Sequence, residues 1–221
     1  MRLAFLLYKY FPYGGMQRDF RRFVEEVQAR GHHCRIYYID WQGDKIPAAE
    51  HRKVPVSAAS NHRRNERFLA WVNNDLAANP VDGVVGFNKM PGLDIYYAAD
   101  SCYLDKAMNE RGRLYRRGGR FRHFADYENA VFGSASSTEI LLISDTEKAK
   151  FKHHYHTSEA RMHMLPPGIS RDRCAGADAA DRRKAIRDSL GMARSEHLLL
   201  FVGSGFIKKG LDRAIRALAN V

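Results

Sequence analysis

Short apolar runs rich in β-branched and aromatic residues recur along this chain, and longer stretches with helical spacing separate them. The runs at 3–8, 34–39, 54–56, 83–87, 139–143, 162–165 and 198–202 are nearly continuous in apolar character. Strands buried on both faces of a sheet read this way. Between them, 16–30 places Phe20, Phe23, Val24 and Val27 on one helical face and closes at Gly31, a residue suited to a helix end. A second helical pattern at 65–78 stops before Asn79-Pro80, where the residue ahead of proline leaves the helical region. A third, 145–155, follows Ser144, a capping residue. Alternation of this kind predicts an α/β fold: a Rossmann-like, doubly wound, mostly parallel sheet.

The pattern changes near Pro166-Pro167-Gly168-Ile169. Residues 1–168 read as a first, Rossmann-like domain, and 169–221 as a linker and the start of a second. After a polar stretch at 170–188 come the apolar run 198–202, the loop Gly203-Ser204-Gly205 and a helix from about Lys209. That is one β-loop-α unit, whereas a Rossmann-like domain needs several to bury its sheet. The second domain is therefore expected to be incomplete in this chain.

Composition narrows the class. With 221 residues, 45% hydrophobic and 28% charged, the chain suits a soluble globular protein of one or two domains. No stretch approaches the roughly 20 apolar residues that span a bilayer. The opening run is interrupted at Lys9, so it reads as a buried strand and not as a signal peptide. Cys34, Cys102 and Cys174 are odd in number and scattered, which argues against a disulfide framework or a zinc site. The formal net charge of +11 calls for an anionic partner: nucleic acid, acidic lipid headgroups or phosphorylated small molecules.

Candidate chemistry sits in loops that follow the strands. Phe11-Pro12-Tyr13-Gly14-Gly15 opens directly into a helix, where paired glycines allow close approach and free N–H groups attract a phosphate. The spacing is not G-x-G-x-x-G, so the dinucleotide fingerprint is not met. Asp19 lies one turn into that helix. Asn88 and Lys89 follow the 83–87 run, and Asp100 follows Tyr97-Ala98-Ala99. Lys208-Lys209-Gly210 lies beyond the second glycine loop, where two cations could neutralise a departing diphosphate. Between 103 and 132, Lys106, Arg111, Arg113, Arg116, Arg117, Arg120 and Arg122 interleave with aromatic residues. Such a segment suits an anionic membrane surface or single-stranded nucleic acid. Gly118-Gly119 breaks it, which argues against one continuous amphipathic helix. His153, His154 and His156 are adjacent on one helix end and do not imply a metal.

In this order the motifs resemble the retaining GT-B glycosyltransferases: a glycine pair after the first strand, an interdomain Pro-Gly-Ile, then Val202-Gly203-Ser204 and Lys209-Gly210. Within that family the chain is similar to lipopolysaccharide core glycosyltransferases of the glucosyltransferase I type. The stretches that carry this likeness are Leu7-Tyr8-Lys9-Tyr10-Phe11-Pro12, Gln17-Arg18-Asp19-Phe20, Ala29-Arg30-Gly31-His32-His33, Leu165-Pro166-Pro167-Gly168-Ile169 and, most specifically, Val85-Gly86-Phe87-Asn88-Lys89-Met90-Pro91-Gly92-Leu93-Asp94.

The resemblance implies transfer of a hexose from a UDP-sugar, with retention, to an inner-core heptose of a lipid-linked acceptor. The donor sugar is expected to be glucose, with N-acetylgalactosamine as the alternative. Gly14 and Gly15 approach the donor diphosphate, and Asp19 and Asp100 face the sugars. Arg173, Lys208 and Lys209 bind the diphosphate and assist its departure, with no metal and no cofactor beyond the sugar nucleotide. The 103–132 region docks a cytoplasmic, peripheral enzyme on the anionic inner membrane, and nucleic acid is not a partner. Two departures stand out. Ser204 occupies a place where the wider family has arginine, and the family's paired donor-domain glutamates are absent, so this chain alone is expected not to turn over. The competing readings are a basic nucleic-acid-binding module and a nicotinamide-dependent oxidoreductase.

Overall fold

Alternate residues of the first strand part to opposite sides of a sheet, and each side is a core of its own. Ala4 and Leu6 join Tyr37, Phe68, Val72, Tyr96, Val131, Ile140, Leu142 and Phe151 on one face. Phe5 and Leu7 join Phe20, Val24, Ile36, Phe87 and Tyr97 on the other. The period of two that sends neighbouring side chains to opposite faces thus explains why the run is apolar throughout.

The computed structural model describes residues 1–166, 168, 174–203 and 205–219, and the chain divides into two compact units, Met1–Pro167 and Gly168–Val221. In chain order the first unit contains β1 (Arg2–Leu6), β2 (Lys9–Tyr10), α1 (Gly15–Ala29), β3 (His33–Tyr38), β4 (Asp40–Trp41), β5 (Glu50–Lys53), α2 (Asn61–Ala78), β6 (Gly83–Gly86), β7 (Ile95–Ala98), α3 (Tyr103–Glu110), α4 (Gly119–Phe132), β8 (Glu139–Leu142), α5 (Asp145–Tyr155) and β9 (Met162–Met164). Seven of these strands form one sheet in the order β5-β3-β1-β6-β7-β8-β9, and every pairing in it is parallel. Helix α1 supplies Phe20 and Val24 to one core, while α2, α4 and α5 supply Phe68, Val72, Val131, Phe132 and Phe151 to the other. The doubly wound parallel sheet expected from the sequence is therefore present.

The differences are local and have physical reasons. The run 54–56 is not a strand; the ladder lies just upstream, at β5, where Arg35 pairs across the sheet with Glu50 at 2.6 Å. Val54 is buried and its N–H still bonds Tyr38 O, but Pro55 has no N–H with which to continue the ladder. Helix α2 starts four residues before the apolar periodicity does, because its first turn is wholly polar. Strand β7 is only four residues long, and α3 and α4 lay hidden in the basic segment.

The second unit holds α6 (Ala179–Ser189), α7 (Phe206–Lys209) and α8 (Leu211–Leu218). The apolar run 198–202 forms no strand, which corrects the expected β-loop-α unit. A strand exists only through a partner's hydrogen bonds, and no second strand is present among this unit's described residues. Leu199, Leu200 and Val202 are 69%, 77% and 78% exposed as a result. The helix expected from Lys209 is split at Gly210, whose φ of 78° ends α7 and starts α8.

Candidate active site at the carboxyl edge of the sheet

Because the strands of the main sheet are parallel, the loops that leave their carboxyl ends share one edge. Strand order reverses between β1 and β6, and in open α/β sheets ligands bind at that point. Phe87 N donates to Leu6 O at 2.9 Å, and Tyr8 N donates to the Asn88 side-chain oxygen at 2.8 Å. Asn88 thereby fixes where the β1 loop departs.

That loop ends at Gly14, which caps α1. A Cβ on Gly14 would lie 1.8 Å from Gln17 Oε1 and 2.8 Å from the Phe11 ring, so a larger residue there would have to displace the Gln17 side chain and the ring. Gln17 is itself buried and donates to Lys9 O at 3.3 Å, tying the helix start to the loop. Gly15 differs, since a Cβ there would meet nothing within 4 Å. No side chain caps α1, and its first turn carries no acid. Its leading N–H groups and the positive end of its dipole are left to a ligand.

Asp19, one turn further on, accepts a hydrogen bond from the Tyr97 phenol at 2.8 Å. Burial, and then this carboxylate, push the Tyr97 pKa well up, so the phenol keeps its proton and stays a donor. Asp100 is exposed directly beyond β7. Below it lies the fully buried Tyr96, whose pKa is raised first by burial and then by the Asp100 and Glu128 carboxylates. The hydroxyls of Tyr96 and Tyr8 are both buried with no hydrogen-bond partner.

Lys89, a ligand candidate on sequence grounds, is a structural cation here. Its ammonium lies 2.5 Å from Glu128 Oε1 and 2.7 Å from Ser101 O. Glu128 is completely buried in α4 and also accepts from Tyr103 N, Leu104 N and the Tyr155 hydroxyl, at 2.7, 2.9 and 2.6 Å. Glu147 of α5 takes the neighbouring Cys102 N at 2.7 Å. Two carboxylates from other helices thus satisfy the N-terminus of α3. Cys102 is buried there and its pKa is raised to about 12, by burial first and then by Glu128, which keeps it an inert thiol. Sequence reasoning missed Glu128, although its spacing to Val131 and Phe132 puts it on the apolar face of α4.

The basic segment folds as α3, a 3-10 turn at Tyr115–Arg117, and α4, whose cap is Gly118. Lys106, Arg111, Arg113, Arg117, Arg120 and Arg122 are exposed and Arg116 half-buried. Arg111 sits 5.6 Å over the Tyr115 ring and Arg120 5.2 Å over Phe124. Leu114, 80% exposed, and Met108, 46% exposed, stand among them. In the second unit the Lys209 ammonium folds against Gly203, 2.7 Å from where a Cβ would stand. Arg173, Ser204 and the Lys208 side chain lie outside the described residues. Among the described residues no group of three or more His, Cys, Asp or Glu side chains could hold a metal ion, and no helix is long and apolar enough to cross a membrane.

A parallel sheet in this order, with helices on both faces and an open helix start at the reversal point, is the Rossmann-like α/β fold of a GT-B glycosyltransferase. The chain is 48% identical over all 221 residues to the lipopolysaccharide glucosyltransferase WaaG of Escherichia coli (strain K12), and it spans 59% of that protein's length. The crystal structure of WaaG, a glycosyltransferase involved in lipopolysaccharide biosynthesis, superposes with a TM-score of 0.91 over 99% of this chain and 59% of that one. A glycosyltransferase from Rickettsia africae ESF-5 shares the fold alone, at 10% identity and a TM-score of 0.51, over 88% of this chain and 50% of that chain. No protein-family model matches. By sequence and by fold the chain is a relative of lipopolysaccharide glycosyltransferases, as its motifs led us to expect.

Proposed function

We propose that the protein to which this chain belongs transfers glucose from a UDP-sugar, with retention, to an inner-core heptose of lipopolysaccharide. The observation that carries this reading is the 48% identity to a lipopolysaccharide glucosyltransferase, sustained over the whole chain. The uncapped start of α1 beside the closely packed Gly14 supports it, because a diphosphate needs N–H donors and positive charge at close approach. In this reading Gly14 and Gly15 admit the diphosphate, and Asp19 and Asp100 meet the sugar hydroxyls. Arg173, Lys208 and Lys209 offset the charge that develops on the leaving nucleoside diphosphate, with no metal required. The 221-residue chain does not turn over alone. Leu114 and Met108, set among the exposed cations of the 103–132 segment, seat the enzyme on an anionic cytoplasmic membrane surface.

The test is a transferase assay of the whole protein, with core lipopolysaccharide lacking its outer sugars as acceptor and a panel of UDP-sugars. Turnover with UDP-glucose is the expected result. Turnover with UDP-N-acetylgalactosamine alone changes the donor, and no turnover with any member of the panel overturns the assignment.

A further inference from the structure

A second concavity opens on the same edge of the sheet, at the carboxyl ends of β3 and β5. It is a groove of about 580 Å³, lined by Lys9, Asp40, Lys53, Ser57 and Arg64 over a floor that includes Val54. Four elements converge there: β2 brings Lys9, β4 brings Asp40, β5 brings Lys53, and the first turn of α2 brings Arg64.

The charges in this groove are arranged unlike those around it. Nearby, Arg35 and Arg52 are paired with Glu50 and Asp75. Among the described residues no carboxylate pairs with Lys9, Lys53 or Arg64. Arg64 Nε is buried without a partner, and the guanidinium's one hydrogen bond goes to Asn61 Oδ1 at 3.0 Å. Arg64 also stands in the first turn of a helix that carries no acid there and no side-chain cap. A cation at a helix N-terminus is disfavoured by the dipole, and the three cations around this cavity outnumber its one acid, Asp40. A bound anion reverses both penalties.

We infer that this groove binds an anionic sugar: a hydroxylated ring bearing a phosphoryl or carboxylate oxyanion. The size fits a small ligand, since such sites run to roughly 300–1,000 Å³. Lys9, Lys53 and Arg64 take the oxyanion, while the Asp40 carboxylate accepts from ring hydroxyls and disfavours a continuous polyanion such as nucleic acid. Lys9 opens β2, which leads into the turn at Gly14, and its carbonyl holds Gln17, so the groove adjoins the glycine turn. On the proposed function, the ligand is an acidic or phosphorylated residue of the acceptor near the sugar to be glycosylated. That identity rests on the proposed function; the anion site does not.

Binding to the 221-residue chain tests the site without any catalysis. Calorimetric titration with glucose 6-phosphate and with glucuronate is compared with glucose, inorganic phosphate and a single-stranded oligonucleotide. At least one charged sugar is expected to bind tighter than glucose by about tenfold or more, and a Lys53→Gln, Arg64→Gln double variant to lose that margin. Asp40→Asn narrows the margin of the charged sugar over inorganic phosphate, which loses a repelling carboxylate and no hydroxyl acceptor. The two sugars separate a phosphoryl from a carboxylate ligand. Equal binding of glucose and both charged sugars overturns the inference, as does unchanged binding by the double variant with its thermal midpoint preserved. Inorganic phosphate matching the sugars, or an oligonucleotide outcompeting them, overturns the saccharide assignment. In the whole enzyme, Lys53→Gln raises the KM for acceptor and leaves that for donor unchanged. An absence of turnover in the wild type sinks the proposed function and leaves the titrations to decide on the groove.

Discussion

Lys89 and the arginines of the 103–132 segment carry the same charge under opposite conditions. Lys89 is enclosed by Glu128, Ser101 O and the rings of Phe132 and Phe151. Arg161 is buried likewise, its guanidinium donating to the carbonyls of Val131, Phe132, Gly133 and Thr138 around the end of α4. Arg113, Arg117 and Arg122 stand in solvent with exposed Leu114 nearby. A buried charge must be paired or hydrogen-bonded, so it becomes part of the fold. An exposed one costs little to keep and remains free to meet a partner. Both kinds belong to α4 and its neighbours, so one region separates the two roles.

The largest effect should come from the buried side. Removing Glu128 as Glu128→Ala leaves the Lys89 ammonium, two backbone N–H groups of α3 and the Tyr155 hydroxyl without their acceptor. Deleting one member of a buried pair costs about 3–5 kcal/mol, and we expect a loss of that order in urea denaturation. A loss below about 1 kcal/mol would mean that water takes the carboxylate's place. The exposed side is expected to behave inversely. Neutralising Arg116, Arg117 and Arg120 together should weaken binding to anionic vesicles by up to about 3 kcal/mol, at about 1 kcal/mol per residue near the surface. The thermal midpoint should stay where it was. Unchanged vesicle binding would remove the membrane role from this segment, and a collapsed midpoint would move these arginines to the structural class.

The same distinction marks what could be read from sequence. Strands with two buried faces announced themselves, because such a run is nearly continuous in apolar character, whereas β5, Glu-His-Arg-Lys at the sheet edge, did not. Helix α1 did so through the spacing of Phe20, Phe23, Val24 and Val27, two buried and two packed against that core. The glycine turn was legible as a place, but Gly14 and Gly15 looked alike, and only the Gln17 and Phe11 contacts separate them. Asn88 and Lys89 were legible as polar residues at a strand end, while their partners Tyr8 and Glu128 lie far off in sequence. The run 198–202 misled for a related reason: apolar sequence sets a propensity, and a strand needs a neighbour as well. The groove cations escaped notice because β2, β5 and α2 each contribute one residue that reads as ordinary surface.

The smallest effect, one of pH, lies at the boundary between the two classes. His123 of α4 is buried, its Nδ1 is 3.1 Å from Glu66 Oε1, and its Nε2 has no partner. Burial lowers its pKa below the ordinary 6.5, with His62 acting in the same direction and Glu66 and Asp126 opposing. The unfolded chain therefore binds this proton at a higher pH than the folded one does. Its contribution to stability is complete above about pH 6.5 and is lost as pH falls toward the lowered value. His51, whose pKa burial also lowers, adds a slope of the same sign. One such group contributes at most about 1.4 kcal/mol per pH unit. Urea midpoints at pH 7.5 and 5.5, for the wild type and for His123→Gln, measure it. The wild type should weaken more on acidification than the variant. Equal slopes would show that the folded state accepts the proton at His123 as readily as the unfolded one, with Glu66 outweighing burial. The histidine would then behave like the solvated arginines that precede it in the chain and not like Lys89.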